Sequence, residues 1–91
     1  MPRLEKKLLI SNKLGLHARA ATKLAQLSQK FDATVNISLD GKDADASSIM
    51  GLMLLAGAQG KEVTVTTKGK DAEKALHDVC QLFNDKFDEE E

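Results

Sequence analysis

The most constraining feature of this sequence is a segment of strict alternation that ends in a tight-turn signal. Thr34–Leu39 has apolar side chains at every second position, which is the period of a strand with one buried and one exposed face. Asp40-Gly41 follows, a pair that favours a two-residue hairpin turn. The polar residues 42–46 are then expected to return as an edge strand. The chain must therefore contain an antiparallel hairpin that rests one face on a core.

The rest of the chain alternates between strand-like and helix-like patterns. Two further alternating segments predict strands at residues 4–10 and 62–67. Helical periodicity begins at Ala18, at Ile49 and after Asp71, a candidate N-cap. The order βαββαβα is typical of an α+β fold with a split β-α-β arrangement. We expect a four-stranded antiparallel sheet that carries three helices on one face and exposes the other.

Composition and charge narrow the class of protein. A chain of 91 residues with 42% hydrophobic and 30% charged residues is expected to form one globular domain, residues 1–91. A net charge of -1 and 3% aromatic residues argue against nucleic-acid binding. The longest apolar run, Ile49 to Ala58, is too short to span a membrane, and no signal peptide is readable. With a single cysteine, Cys80, we expect a cytoplasmic protein that does not act at membranes.

The candidate chemistry lies in Gly15-Leu16-His17-Ala18-Arg19, where a helix begins just after a histidine. The early backbone amides of Ala18 and Arg19 have no intrahelical acceptor, and the Arg19 side chain adds a permanent cation. The positive helix end favours the neutral, nucleophilic imidazole and also a phosphate attached to it. His17 is therefore a candidate phosphate-bearing residue, although a lone histidine at a helix start is more often a surface or capping residue.

The second helix is short and apolar all round, which is unusual for a surface element. Ser47 or Ser48 can cap it, and Gly57 is expected to end it together with Gly60. Leu52 and Leu55 are the expected buried pair. The remaining large apolar residues are expected to form an adaptable docking surface: Ile49, Met50, Met53 and Leu54.

Other candidate sites are weak. His77 is expected on the solvated flank of the third helix, and Cys80 is expected to be a small core residue. No Cys/His cluster has metal-ligand spacing and no glycine loop of the Walker type is present, so we expect neither a metal nor a cofactor. The acidic end, residues 87–91, is expected to be frayed and solvated.

Two motifs resemble those of a known family. Gly15–Ala21 resembles the phosphorylation-site signature of the HPr family, the histidine-containing phosphocarriers of the bacterial phosphoenolpyruvate phosphotransferase system. Residues 46–50, Ala-Ser-Ser-Ile-Met, resemble the region of its regulatory serine. The resemblance covers essentially the whole chain and implies an open-faced β-sandwich. Ala20 stands at the position of the more common proline, a departure that the family tolerates, and Leu14 stands where many sugar-type members have asparagine. Residues 12–15, together with the ending at residues 82–87 and the acidic residues after it, resemble the nitrogen-type branch more closely.

The resemblance implies a role for each matching residue. His17 would accept a phosphoryl group on Nδ1, the pros nitrogen, from phosphorylated Enzyme I and pass it to a histidine of a IIA-type protein. Arg19 would contact the phosphate, as would the backbone amides of Ala18 and Arg19. Ser48 matches the serine that an HPr kinase/phosphorylase modifies in some members, although capping is the preferred interpretation. Thr22 would join the docking surface of the second helix.

Two hypotheses from different classes follow. The first is a monomeric phosphocarrier, whose His17 is itself a covalent intermediate and not an independent catalyst on a small molecule; whether it counts as an enzyme is left open. The second is a regulatory binding module, in which phosphorylation state or the second helix controls a target protein. Sugar transport and nitrogen regulation are both open as the process served.

Overall fold

The elements follow the predicted order in the structure, a computed structural model that describes residues 2–89. They are β1 (Arg3–Leu9), α1 (Ala18–Ser28), β2 (Thr34–Leu39), β3 (Lys42–Asp45), α2 (Ile49–Leu54), β4 (Glu62–Lys68) and α3 (Ala72–Asn84), followed by a short C-terminal turn (Lys86–Asp88). The strands agree with the predicted ones to within one residue at each end.

The four strands form one antiparallel sheet in the order β1-β4-β2-β3. The predicted hairpin joins β2 to β3 through Asp40 and Gly41, which both have a positive φ, as this tight turn requires. Strand β3 is an edge strand, as its polar sequence predicts. The register places Ile37 opposite Val65 on the central pair of strands, both fully buried.

The helices cover one face of this sheet. Helix α3 packs on β1, β4 and β2, while α1 packs on α3 and α2. The opposite face presents polar side chains along all four strands: Arg3, Glu5, Asn36, Ser38, Asp43, Thr64 and Thr66. This one-sided arrangement follows from the strand alternation, and it confirms the predicted α+β, open-faced fold.

The end of α2 and the start of α3 differ from prediction. Helix α2 ends without a glycine, because Ala56 takes the left-handed conformation with φ 55°. Gly57 is needed for space instead: a Cβ there would lie 2.8 Å from Ile10 Cδ1. Asp71 stands at the N-cap of α3 but makes no capping bond. Its carboxylate accepts a hydrogen bond from the backbone N–H of Asp32 at 2.8 Å, which ties two loops together.

None of the helices among residues 2–89 combines the length and the apolar character needed to cross a bilayer.

Candidate functional site

The loop before α1 is held in place by backbone contact with the loop after α2. Gly15 has φ 69°, and a Cβ at this position would lie 2.1 Å from the carbonyl oxygen of Gly57. A positive φ and a close backbone approach therefore both require glycine here. The N–H of Leu16 donates to the same Gly57 oxygen at 2.8 Å. These contacts fix the position of the next residue, His17.

His17 is the N-cap of α1, and its imidazole takes the capping role. Its backbone is extended, with φ -76° and ψ 178°, and Nδ1 accepts a hydrogen bond from the Arg19 N–H at 3.2 Å. Because Nδ1 accepts, it carries no proton in this arrangement. The side chain is 26% exposed, so solvent and partners can reach the ring. The structure thus brings together the ring and one of the two predicted amides.

The side chain of Arg19 does not contact the ring. Arg19 is exposed, and its guanidinium makes no hydrogen bond or ion pair with other residues of the described part, 2–89. It is therefore an exposed cation close in sequence to His17, while its backbone N–H makes the direct contact.

A carboxylate that the sequence did not predict lies on the other nitrogen of the ring. Glu89 Oε2 is 2.5 Å from His17 Nε2 and accepts a hydrogen bond from Asn12 Nδ2 at 3.0 Å. Asn12 is fully buried and also donates to the carbonyl of Gly15 at 2.7 Å. Its Oδ1 has no hydrogen-bond partner among the described residues. Asn12 and Glu89 are 77 residues apart, so no local pattern could have predicted the contact.

Glu89 is ionised at neutral pH. Burial raises the pKa of its carboxyl, but hydrogen bonds from His17 and Asn12, together with the Coulombic attraction of His17, lower it by more, so that the pKa lies below the ordinary 4.5. A backbone hydrogen bond from Leu14 acts in the same direction. The site therefore holds a negative charge at Nε2 and the positive end of a helix at Nδ1.

The segment that carries Glu89 is ordered by packing, contrary to the expectation of a frayed end. Phe87 is 1% exposed, and its ring centroid lies 4.8 Å from that of Phe83. Lys23 on α1 donates to the Phe87 carbonyl at 3.0 Å and pairs with Asp88 at 3.5 Å. The prediction is wrong for Phe87 and Glu89, whose side chains are buried, because the acidic composition gave no sign of a buried phenylalanine. Asp88 is exposed, as predicted, and residues 90 and 91 lie outside the described part.

The predicted docking residues of α2 are exposed. Their fractional exposure lies between 38% and 72%, whereas Leu52 and Leu55 are buried as expected. We call the four residues the α2 surface: Ile49, Met50, Met53 and Leu54. Because α2 packs against α1, the helix that carries this surface lies beside the helix that His17 caps. Thr22 on α1 is half-buried, and its hydroxyl donates to the Ala18 carbonyl at 2.7 Å.

Ser48 caps α2, which confirms the preferred interpretation of this residue. Its hydroxyl oxygen accepts a hydrogen bond from the Gly51 N–H at 3.0 Å. Ser48 is exposed. Ser47 instead bonds through its hydroxyl to the carboxylate of Asp45 at 2.6 Å.

The remaining candidates are His77 and Cys80, both on α3. His77 is exposed on α3, as expected, and lies 3.1 Å from the Asp78 carboxylate. Cys80 is partly buried against the core. Among residues 2–89 no group of three or more His, Cys, Asp or Glu residues is arranged to hold a metal ion.

Comparison with known proteins identifies the class. A family model described as the PTS HPr component phosphorylation site matches residues 4–85. The chain belongs to the HPr family, the phosphocarrier proteins of the phosphotransferase system. A solved structure of HPr-C-His from Thermoanaerobacter tengcongensis is similar with a TM-score of 0.92 and 39% identity, over 97% of this chain and 99% of that one.

Two named relatives support the nitrogen-type branch. Phosphocarrier protein NPr of Shewanella violacea is 51% identical over 98% of this chain and 98% of its own length. Phosphocarrier protein NPr of Escherichia coli is 46% identical over 89% of this chain and 91% of its own length. The closer resemblance of the chain to that branch is thereby supported.

Proposed function

We propose that Nδ1 of His17 is the atom that carries the phosphoryl group. The observation that supports this most strongly is the Arg19 N–H, which donates to Nδ1 at 3.2 Å and so leaves a lone pair there instead of a proton. When the lone pair bonds to phosphorus, the amides of Arg19 and Ala18 can donate to the phosphate oxygens. The same helix end thus serves the free and the phosphorylated side chain.

The family implies partners of the phosphotransferase system, such as Enzyme I and IIA-type proteins. We propose that His17 receives the phosphoryl group from phosphorylated Enzyme I and passes it to a histidine of a IIA-type protein. The test supplies the chain with labelled phosphoenolpyruvate and either sugar-type or nitrogen-type Enzyme I. We expect acid-labile label in the chain, faster with the nitrogen-type enzyme, and onward transfer to IIA. A chain that takes no label from either would contradict the proposal.

Arg19 is proposed to neutralise the phosphate through its exposed guanidinium. Replacing Arg19 by alanine should slow transfer by roughly ten- to a hundredfold, the loss expected for a charge-assisted contact. Stability should change by less than about 0.5 kcal/mol, because the side chain is exposed. Quenched transfer reactions measure the change in rate, and urea unfolding measures the change in stability. Arg3→Ala on the edge strand is the matched control; an equal loss there would rule out a local role for Arg19.

The α2 surface, with Thr22 beside it on α1, is proposed as the docking surface for both partners. Leu54 is 72% exposed and Leu9 on β1 is 57% exposed, so truncation of either costs little folding energy. We expect Leu54→Ala to weaken Enzyme I binding about tenfold, the effect of losing one buried apolar anchor. Leu9→Ala should leave binding unchanged. Calorimetry measures the affinity of each variant for Enzyme I. Equal affinities of the two variants would mean that the docking surface lies elsewhere.

A regulatory binding module is the second candidate, favoured by the exposure of the α2 surface. A target protein whose capture depends on Ile49 and Met50 but not on His17 would support it. Loss of capture on replacing His17 would favour the carrier role instead.

Four further assignments accompany the proposal. Ser48 phosphorylation by an HPr kinase/phosphorylase stays a prediction; a phosphate there would put negative charge beside the α2 surface and weaken docking. We propose a monomer, because one chain supplies His17, Arg19, Asn12 and Glu89. We also propose that residues 1–91 form a single domain, supported by the family match, and that the protein acts in the cytoplasm.

A further inference from the structure

The contact between Glu89 and His17 involves the ring nitrogen that does not react. Glu89 Oε2 lies at Nε2, whereas the Arg19 amide lies at Nδ1. We propose that Glu89 is a positioning residue for phosphoryl transfer: it holds the proton of His17 on Nε2 and so keeps the Nδ1 lone pair free to attack phosphorus. This inference rests on the proposed role of His17 and adds a residue to it.

The carboxylate is fixed before any partner arrives. The Glu89 side chain is only 8% exposed, and Asn12, which donates to the same oxygen, is fully buried. Asn12 also donates to Gly15, the residue whose close approach to Gly57 sets the loop before α1. One amide side chain thus couples the carboxylate to the loop that positions His17, so the ring is held from both edges.

The backbone that presents Glu89 is strained and held by its surroundings. Lys86, Phe87 and Asp88 all have a positive φ, of 55°, 55° and 61°. Non-glycine residues adopt this conformation only where surrounding contacts outweigh its cost. The burial of Phe87 and the two bonds from Lys23 supply such contacts. A solvated tail would relax to an ordinary conformation, so this turn persists because it is anchored.

The chemistry of transfer explains how the contact acts. The lone pair of Nδ1 forms the nitrogen–phosphorus bond, while the bond from phosphorus to the donor breaks and its electron pair stays with the donor. Nε2 keeps its proton, so the phosphorylated ring gains a positive charge that the Glu89 carboxylate faces. On transfer to the acceptor the bond to Nδ1 breaks, its electron pair returns to that nitrogen, and the ring is neutral again.

The opposite interpretation of this contact is that Glu89 blocks the access of partners to His17, and the geometry argues against it. A blocking group would cover the reacting nitrogen, whereas Glu89 binds the other one. The side chain of His17 also remains 26% exposed. The two interpretations predict opposite changes in the rate of phosphoryl transfer when the carboxylate is removed: a slower rate if Glu89 positions the ring and a faster rate if it blocks the ring.

The test compares Glu89→Ala, Glu89→Gln and the remote control Glu73→Gln on α3. Single-turnover transfer from phosphorylated Enzyme I should slow about ten- to a hundredfold in Glu89→Ala, the order expected for a lost bond to a charged group. Glu89→Gln keeps a hydrogen-bond acceptor but not the charge, so its rate should be intermediate. Glu73→Gln should match the original chain. Glu89→Gln decides the result if Glu89→Ala unfolds.

A proton spectrum of the 15N-histidine-labelled chain gives the readout that a purely structural role would not move. The Nε2 proton should exchange slowly with water in the original chain, both before and after phosphorylation, and exchange fast in Glu89→Ala. Unchanged or faster transfer in the Glu89 variants, or an Nε2 proton that stays protected in Glu89→Ala, would overturn the inference. Labelling of a chain that lacks His17 would instead refute the proposed function, so the two failures are distinguishable.

Discussion

A chain with His17→Asn should fold normally and take up no phosphoryl group. Asparagine is among the best N-cap residues, so it can replace the capping bond that His17 Nδ1 now receives from the Arg19 N–H. It has no imidazole nitrogen to bond to phosphorus. The change also removes the contact of the imidazole with Glu89, so we expect the free energy of unfolding to fall by about 1–2 kcal/mol, while label transfer from Enzyme I falls to background.

Two further variants show whether the loss is specific. His17→Ala removes the cap as well as the imidazole and its contact with Glu89, so it should cost about 1 kcal/mol more stability than His17→Asn in addition to all transfer. His77→Asn changes the other histidine, which is exposed on α3, and it should accept phosphate at the original rate. Label retained by His17→Asn would show that another residue carries the phosphoryl group.

Phe87→Ala should destabilise the fold more than any of the substitutions at His17, Arg19, Leu54 or Glu89. The side chain is 1% exposed and packs against Phe83 with centroids 4.8 Å apart. Truncating a buried phenylalanine costs about 3–5 kcal/mol, from lost transfer energy and the cavity left behind. The strained turn at Lys86–Asp88 also loses its anchor. Urea unfolding at neutral pH measures the loss.

The matched control for Phe87 is Phe31→Ala, the same change at a partly buried position. We expect a smaller loss there, because less apolar surface leaves water at that site. Phe87→Ala should in addition speed exchange of the His17 Nε2 proton, since Glu89 is presented by the turn that Phe87 holds. Equal destabilisation by the two variants would mean that the C-terminal turn is not anchored as described.

Local patterns in the sequence were sufficient for most of the fold. The alternation of Thr34–Leu39 and the Asp40-Gly41 pair determined β2, the hairpin and the edge position of β3. The helical cap at Ser48 and the buried pair of α2 also followed from local chemistry. These features depend on residues close in sequence, where propensity and periodicity act directly.

Features set by distant contacts could not be predicted in the same way. Gly57 looked like a helix stop, yet its small size serves packing against Ile10, and Ala56 takes the left-handed position. Asp71 looked like a cap, yet it bonds to the loop at Asp32. The greatest difference is at the chain end, where acidic residues indicated solvation and a single buried phenylalanine reverses that outcome.

The candidate site also has a part formed by residues close in sequence and a part formed by distant residues. The Gly15–Arg19 motif is local, and it predicted that a helix begins just after His17 with free early amides. The structure adds that one of these amides, that of Arg19, donates to the ring itself. The carboxylate on Nε2 comes from a residue 72 positions later, and Asn12 joins it only through the fold. The part of the site that is proposed to bond to phosphate was therefore visible in the sequence, whereas the carboxylate that holds the ring at Nε2 was not.

The most direct test of the central claim locates the phosphoryl group on the ring. The 15N-histidine-labelled chain is phosphorylated with Enzyme I and phosphoenolpyruvate, and coupling between phosphorus and nitrogen is measured by nuclear magnetic resonance. We predict one phosphorus signal, coupled to Nδ1 of His17, with the proton on Nε2. A phosphorus signal coupled to Nε2 or to His77, or a phosphoester on Ser48 in its place, would contradict the proposed role of His17.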